Sequence, residues 1–381
     1  MEIKIKNTPE QVELIKAMGS KNRIASAEAM EVFAAATGPV IQQALNTAGT
    51  ASMIYSDWSF GEDESPTFPL DTLYDKGENW VQVWSQSVAG GLPSSLAEGV
   101  KDMKIATYEL DSAVSFLKSY ARKGRLDVVA LYLERMAQEM LVKQERNAWA
   151  VLLKALADGS SKNGKYSTAS GSVKHVIRTK NTAGLFQIAD LNDVLLRNRR
   201  VNVSWSNNTP SENRGLTDMF VSPEVMADIR AFAYQPMNTR AVPNTDESTV
   251  LGLPDKVRED IYRSAGASEI FGKGIVEMVE LGLSQKYNDL FDTLAGSTAY
   301  TDIDGSGSAV FAGATEEILL FADLSRKVFL RPVMTDAESG GQVVVLPDDQ
   351  FVARQSKIGM FAKLEEARVV LASQALAGLI I

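Results

Sequence analysis

The chain has 381 residues, of which 45% are hydrophobic and 23% charged, which is typical of a globular protein with two or three domains or one large discontinuous domain. The absence of cysteine excludes disulfides, thiolate metal sites and cysteine nucleophiles, and His175 is the only histidine. The net charge of −9 argues against a protein that binds nucleic acid over its whole surface.

The N-terminal segment predicts helix followed by extended chain. Residues 1–38 are predicted to be helical, with Thr8, Pro9 and Glu10 at a helix start and with Gly38-Pro39 as a helix stop. Residues 48–58 are predicted to be extended. Because the first 70 residues show little core of their own, we interpret them as an arm that docks on another surface. Residues 1–21 alternate charged with apolar residues and contain no unbroken apolar core, so we expect no signal peptide.

A long hairpin is predicted next. Residues 80–88 alternate strictly and place Trp80, Gln82, Trp84 and Gln86 on one side of a strand. Residues 89–93 form a Gly/Pro tip, and residues 104–108 return as the second strand. An isolated hairpin is barely stable alone, so we expect it to lie on a partner surface.

The most regular pattern runs from Leu126 to Ala157, which contains neither Pro nor Gly. Apolar residues recur at spacings of three and four, and this predicts a single amphipathic helix roughly 48 Å long. We expect its apolar stripe to face the late strands at residues 352–361, and its charged side to face away from them, towards a neighbouring subunit. A coiled coil is the alternative, but its heptads fail at Lys143 and Asn147.

The second half predicts short strands and helices. Residues 188–200 are predicted to form an amphipathic helix, and residues 218–221 a strand. Ser222 and Pro223 are predicted to open a helix through Ala233, as the N-cap and first helical residue. Further strands are predicted around residues 270–280, 318–321, 327–330, 342–346, 352–361, 369–371 and 376–381.

No set of residues predicts a catalytic, cofactor or metal site. His175 has no triad-like neighbour in the sequence, so we expect a surface or interface histidine rather than a catalytic one. Asp302, Asp304, Ser306 and Gly307 match the start of a calcium-binding loop, but the twelfth position is Gly313 instead of a bidentate glutamate. We expect a plain surface turn there.

Charged clusters indicate contacts rather than chemistry. The acidic pairs Glu365-Glu366 and Asp348-Asp349 are expected to be solvated or to form intersubunit ion pairs. Each of two basic clusters could contact nucleic acid or pair with acidic surface on a neighbouring subunit. We favour pairing with a neighbouring subunit, because the chain as a whole is acidic. These clusters are Lys118, Arg122, Lys123 and Arg125, and Arg197, Arg199 and Arg200.

The order of these parts resembles the major capsid protein of tailed bacteriophages, whose Hong Kong 97-like fold is also found in encapsulins. The resemblance rests on the arm, the hairpin, the long helix, the stretch Phe220–Glu224, the late strands at residues 351–361 and the terminal strand. It implies an α+β fold with these domains: an N-terminal arm (1–70), an extended loop (71–122), a peripheral domain (123–215) with a spine helix (126–157), an axial domain (216–332), peripheral-domain strands (333–374) and a last axial-domain strand (375–381).

The resemblance also implies a function and partners. The chain would be a structural protein and not an enzyme, and it would assemble as pentamers and hexamers into an icosahedral shell around double-stranded DNA, which contacts the inner face. We expect a separate scaffolding protein, a portal, decoration or cement proteins, no membrane partner, synthesis in the host bacterial cytoplasm and a final place in the virion. The alternatives are an encapsulin-like compartment and, in another class, a hydrolase that uses His175.

Overall fold

The computed structural model describes residues 8–69, 102–161, 173–179, 185–206, 215–234, 256, 269–305, 307–325, 327–337, 340–348 and 356–381. The helices are α1 (Pro9–Met18), α2 (Arg23–Thr47), α3 (Ala51–Ile54), α4 (Lys118–Arg122), α5 (Leu126–Asp158), α6 (Ile188–Ser206), α7 (Pro223–Tyr234) and α8 (Lys286–Ala295).

The strands are short and spread over the whole chain. They are β1 (Ser56–Gly61), β2 (Thr67–Pro69), β3 (Asp102–Lys104), β4 (Tyr108–Leu117), β5 (Ser160–Ser161), β6 (Val173–Lys174), β7 (Val176–Arg178), β8 (Asp218–Val221), β9 (Glu269–Ile270), β10 (Lys273–Glu277), β11 (Ala299–Asp302), β12 (Ser308–Val310), β13 (Ile318–Ala322), β14 (Phe329–Thr335), β15 (Val344–Asp348), β16 (Lys357–Glu366), β17 (Val369–Val370) and β18 (Leu376–Ile380). The predicted α+β class is confirmed.

The chain divides into two compact units. Of the residues that the structure describes, those within 8–69, 102–149 and 329–369 belong to the first unit, and those within 150–328 and 370–381 belong to the second. The described residues within 150–215 belong to the second unit, while the predicted peripheral domain combines them with the late strands. The assignment of named peripheral and axial domains stays a prediction.

The first unit is a sheet with helices packed on one face. Strand β4 pairs with β16 in antiparallel register over ten residues, from Tyr108 opposite Glu366 to Leu117 opposite Lys357. Strand β1 pairs in parallel with β14, and β15 pairs with β16. Alternate residues of β16 point to the helices because successive side chains of a strand face opposite sides.

Helix α5 begins at the predicted residue and ends one residue beyond the predicted end. Its apolar stripe lies in one hydrophobic cluster with alternate residues of β16, so the prediction that the stripe faces the late strands is confirmed where the structure describes them. The cluster contains Val129, Leu133, Met136, Ala137 and Met140 of α5 and Ile358, Met360, Ala362 and Leu364 of β16. Exposed Glu139, Lys143 and Arg146 lie on the other side of α5.

The helix stop predicted at Gly38-Pro39 is wrong, because α2 continues through Pro39 to Thr47. Proline lacks the N–H that would bond the carbonyl of Ala35. Ala35 and Pro39 both lie on the exposed side of α2, where water can satisfy that carbonyl. Burial of the opposite side outweighs the local penalty, since Phe33 and Ile41 are 7% and 1% exposed.

The expectation that the first 70 residues bury little on their own chain is wrong for residues 8–69. Ile15, Met18, Phe33 and Ile41 belong to the same hydrophobic cluster as α5 and β15. Helix α2 is long and apolar enough to cross a membrane by length and hydropathy. Its packing against β15 accounts for the apolar residues on one face.

The extended stretch predicted at residues 48–58 is interrupted by the four-residue helix α3. The carboxylate of Glu145 accepts a hydrogen bond from the N–H of Ala51 at 3.0 Å and another from the hydroxyl of Thr50 at 2.9 Å. This acceptor satisfies the free N–H at the start of so short a helix. No local sequence signal for it exists, because Glu145 is about 95 residues away.

The second unit is built on an eight-stranded sheet in the order β12-β11-β7-β18-β13-β8-β10-β9. The final strand β18 is central, parallel to β7 and antiparallel to β13, and all five of its residues are buried. A Cβ at Gly378 would lie 3.0 Å from Val176 and 3.2 Å from Leu156. Glycine there lets β18 approach the end of α5. The N-cap at Ser222 is confirmed, since its hydroxyl accepts the N–H of Val225 at 3.2 Å.

Candidate functional site

The acidic residue Glu366 lies at the centre of a buried polar cluster in the first unit. The expectation that Glu365-Glu366 is a solvated or intersubunit pair is wrong for Glu366, which is 0% exposed. Strand alternation explains the difference, because Glu366 shares the inward face with Leu364 while Glu365 lies on the other face. Glu365 accepts the hydroxyl hydrogen of Thr107 at 2.6 Å.

Two arginines pair with Glu366. Its Oε2 lies 2.7 Å from Nε of Arg331 and 3.2 Å from Nη2 of Arg368. Both side chains are also buried, at 6% and 3% exposure. Arg331 donates further to Asn46 at 2.9 Å and to Asp57 at 3.3 Å. A buried carboxylate that is paired and hydrogen-bonded in this way avoids most of the penalty of an isolated charge.

Neutral side chains complete the cluster. The amide of Gln144 donates to Glu366 Oε2 at 3.1 Å, and the hydroxyl of Tyr108 donates to Oε1 at 2.9 Å. Burial, reinforced by the charge of Glu366, raises the pKa of Tyr108 to about 12. Burial also raises the pKa of Tyr55, whose ring lies 5.0 Å from the guanidinium of Arg368. Both phenols therefore stay protonated at neutral pH.

The cluster connects α2, β1, β4, α5, β14 and β16 within the first unit. A small cavity beside it has Tyr55, Asp57, Glu145 and Arg368 in its wall. Its charged groups already pair with one another or with backbone N–H groups, as Glu145 does with Ala51. The arrangement holds distant strands and helices together, and it offers no nucleophile beside a general base.

Arg331, Arg368 and Gln144 were not predicted to belong to a site. Arg331 interrupts an otherwise apolar strand, and such a charge at an inward position is a sign of a buried partner. That partner, Glu366, is 35 residues away, so the pair could not be found from local spacing.

The surface or interface position expected for His175 is wrong on this chain, because the residue is 8% exposed. It lies between β6 and β7, and its Nδ1 is 2.8 Å from the carbonyl oxygen of Ser373. Its backbone N–H bonds the carbonyl of Gly159 at 3.0 Å. These contacts connect β7 to the end of α5 and to the turn before β18, all in the second unit.

The calcium-like stretch is the turn of the β11–β12 hairpin. The N–H of Asp302 bonds the carbonyl of Gly307, and the N–H of Gly305 bonds the carbonyl of Asp302, both at 2.9 Å. Gly305 has a positive φ of 76°, as a tight turn requires. Ser306 lies outside the described residues. Among those described, no group of three or more His, Asp or Glu side chains could hold a metal ion.

The two basic clusters differ in exposure. Arg197 is 7% exposed, and its guanidinium donates to the carbonyl of Lys174 at 3.4 Å. Arg199 is exposed, while the side chain of Arg200 lies outside the described residues. The second cluster is therefore not one continuous basic surface. In the first cluster, Arg122 and Lys123 are exposed, and Arg125 pairs with Asp127 at 2.9 Å.

Several predicted contact elements fall outside the described residues. They include the strand at residues 80–88 with Trp80 and Trp84, the Gly/Pro tip, Asp349 and residues 351–355. The second strand predicted at residues 104–108 is wrong in its bounds, because β3 ends at Lys104, β4 begins at Tyr108 and residues 105–107 lie between them. Strand β3 pairs instead with Thr67–Pro69 in antiparallel register, a pairing that was not predicted.

The outer face of α2 carries exposed apolar residues beside the exposed acids Glu28 and Glu31. Ile24, Val32 and Val40 are 71%, 57% and 45% exposed. Ala35, Ala36 and Pro39 lie between them on the same face. Exposed apolar surface that continues along a helix is typical of a protein–protein contact.

Comparisons with known proteins give matches among solved structures only, since no protein-family model and no curated protein sequence matches the chain. The capsid of a native GTA particle is 13% identical, with a TM-score of 0.49, and the match covers 88% of this chain and 91% of that one. The capsid of the cyanophage P-SCSP1u is 13% identical, with a TM-score of 0.44 and coverages of 87% and 88%.

An encapsulin complex from Synechococcus elongatus also matches, with 12% identity, a TM-score of 0.36 and coverages of 73% and 74%. The fold of this chain is described by the order of its own helices and strands. They follow the predicted order: helical N-terminal segment, 33-residue helix, strand β8 with its capped helix, late strands on the long helix, and a last strand returning to the second sheet. The chain has a mixed α+β architecture, and its elements follow the order implied by the resemblance to the Hong Kong 97-type capsid fold.

Proposed function

We propose that this chain is the major capsid protein of a tailed phage, which assembles into an icosahedral shell around double-stranded DNA. The observation that carries the proposal is the 33-residue helix α5, buried along one side on β16 and charged along the other. A helix of this length stiffens a subunit far beyond what a compact core requires.

Self-association is supported by the exposed apolar residues on the outer face of α2. Its exposed residues Ile24, Val32 and Val40 have no covering element in the part of the chain that the structure describes. Many modest contacts of this kind give large avidity in a closed shell. The subunit would form pentamers and hexamers, with a scaffolding protein, a portal and decoration proteins as further partners and the virion as its final location.

Size measurement tests the proposal. The purified full chain, alone and with its candidate scaffold, is examined by sedimentation velocity and electron microscopy, and we expect closed shells. The double substitution Val32→Lys with Val40→Lys should shift the chain towards small species. Glu31→Lys places a similar charge beside this face and serves as a control that should still assemble. A wild-type chain that stays monomeric under all assembly conditions would overturn the proposal.

The content of the shells separates a phage capsid from an encapsulin-like compartment. Particles purified from the producing cells are treated with nuclease, and the protected material is analysed. Protected double-stranded DNA supports the phage capsid. A co-purifying protein cargo without protected DNA would contradict it and favour the compartment.

A further inference from the structure

We propose that the corner where α1 meets α4 contacts the phosphate backbone of the packaged double-stranded DNA. This inference rests on the proposed capsid function and names the surface that would meet the DNA. It comes from a juxtaposition that the sequence does not show, since residues 16–23 and 122–123 are about a hundred positions apart.

Five exposed cations meet at this corner. Lys16 comes from α1, Lys21 and Arg23 come from the turn into α2, and Arg122 and Lys123 come from the end of α4. We call these five residues the corner patch. The remaining chain carries a net charge of −14, which follows from the total of −9 less these five positive charges. Such local positive charge is what an acidic protein needs to approach a polyanion.

Specific contacts fix the corner. The Nε of Arg122 donates to the carbonyl oxygen of Gly19 at 2.8 Å. A Cβ on Gly19 would lie 2.8 Å from the backbone nitrogen of Arg122, so the two segments are in close contact. At Gly124, a Cβ would lie 3.1 Å from Cε of Lys16. These contacts bring together the end of α1 and the end of α4, the two segments on which or next to which the five residues of the corner patch lie.

Among the residues that the structure describes, no acidic side chain forms an ion pair with the corner patch. Within the described ranges, none of its five residues has an acidic oxygen within 4.0 Å, whereas nearby Arg125 pairs with Asp127 at 2.9 Å. On α1, which carries Lys16, the exposed acidic residues are Glu10 and Glu13, and both lie in the first half of the helix. Five unpaired cations leave a local surplus of positive charge.

The composition of the corner patch favours DNA over a protein partner. Three of its five residues are lysines, and lysine is depleted in protein–protein interfaces, where arginine and aromatic residues are enriched. Both lysine and arginine bind DNA phosphates, and each phosphate neutralised releases condensed counterions. The outer face of α2 that begins at Ile24 is the better candidate for contact between subunits.

The test measures binding of a short labelled DNA duplex to the full unassembled chain as a function of salt. The variant carries Lys21→Gln, Arg23→Gln and Lys123→Gln, which spare Arg122 and Lys16 because their side chains pack at the corner. The control carries Arg135→Gln, Lys143→Gln and Arg146→Gln on α5, where exposed cations alternate with Glu139 and Glu145. Assembly of each protein is followed in parallel by sedimentation.

For wild type we expect binding that weakens steeply with salt, by a slope of about −0.9 in log K against log salt for each phosphate neutralised. For the corner variant, the magnitude of this slope should fall by up to about 2.7, because three cations are removed. The control should keep the slope of the wild type. An unchanged slope in the corner variant would overturn the inference. So would a wild-type chain that is able to assemble but binds no DNA in its unassembled form, or a corner variant that binds DNA normally but no longer assembles. Failure of wild type to assemble would instead count against the capsid function.

Discussion

The Oε2 atom of Glu366 lies 2.7 Å from the Nε atom of Arg331, and both side chains are removed from solvent. Arg368 approaches the same oxygen at 3.2 Å. Removing one member of a buried ion pair leaves the other charge without compensation, which typically costs about 3–5 kcal/mol. We therefore expect Glu366→Ala to lower the free energy of unfolding by about that amount, measured by urea denaturation of the unassembled chain.

Glu109→Ala is the matched control for Glu366→Ala. Glu109 pairs with Lys363 at 2.7 Å on the neighbouring strand, but its side chain is 50% exposed. Exposed pairs contribute about 0–1 kcal/mol. Similar losses in the two variants would contradict the central role given to burial of Glu366.

The buried carboxyl group of Glu317 should make the stability of the fold depend on pH. It is 3% exposed, and burial, with smaller contributions from Glu224 and Asp228, raises its pKa above the usual 4.5. The folded state thus binds its proton more tightly than the unfolded state, so ionisation destabilises the fold above the folded-state pKa. The penalty disappears as the pH falls below about 4.5. We expect Glu317→Gln to raise the melting temperature at about pH 8, with a gain that shrinks towards about pH 4.

The control for this prediction is Glu277→Gln, at a 39% exposed side chain that pairs with Arg230. It should leave the melting temperature nearly unchanged across the same pH series. If Glu317→Gln lowers the melting temperature equally at every pH, the hydrogen bond of Glu317 to Ser222 outweighs its burial and the prediction is wrong.

Two features require glycine at position 49, namely its backbone conformation and the close approach of a neighbouring side chain. Its φ is 88°, and a Cβ would overlap the carboxylate of Glu145 that caps α3. Gly340 also has a positive φ, of 64°, but a Cβ there would meet nothing within 4 Å. Both alanine variants should lose about 1–2 kcal/mol from the backbone, and Gly49→Ala should lose more because Glu145 must move. Equal losses in thermal unfolding would contradict the clash.

Pro39 lies inside helix α2, where proline is locally unfavourable. A proline within a helix removes one hydrogen bond and costs about 3 kcal/mol, although part of this is offset by the stiffness it gives the unfolded chain. Pro39→Ala should therefore stabilise the unassembled chain by about 1–3 kcal/mol. A fall in melting temperature would show that the proline is needed for the course of α2 over β15.

Strong local patterns determined much of the fold. The spacing of apolar residues predicted α5 to within one residue, and Ser222-Pro223 marked the start of α7 because caps act within a single turn. The strand predicted at residues 352–361 overlaps β16 over residues 357–361, and β16 continues to Glu366. Two predictions failed where residues distant in the sequence decide the structure. At Pro39, core packing keeps α2 helical. At Ala51, the N–H donates a hydrogen bond to Glu145 at the start of α3.

By itself the sequence determined the α+β class, the long helix with its two unlike sides, and the lack of a recognisable catalytic motif, because each depends on composition or on spacing along one element. Only the tertiary structure decided that Glu366 is buried between Arg331 and Arg368, that His175 is buried, and that Lys16, Lys21, Arg23, Arg122 and Lys123 form one corner. Burial and charge pairing depend on residues that are far apart in the chain and adjacent in space. A carboxylate carries no sign in its own sequence neighbourhood of whether water or two guanidinium groups will surround it.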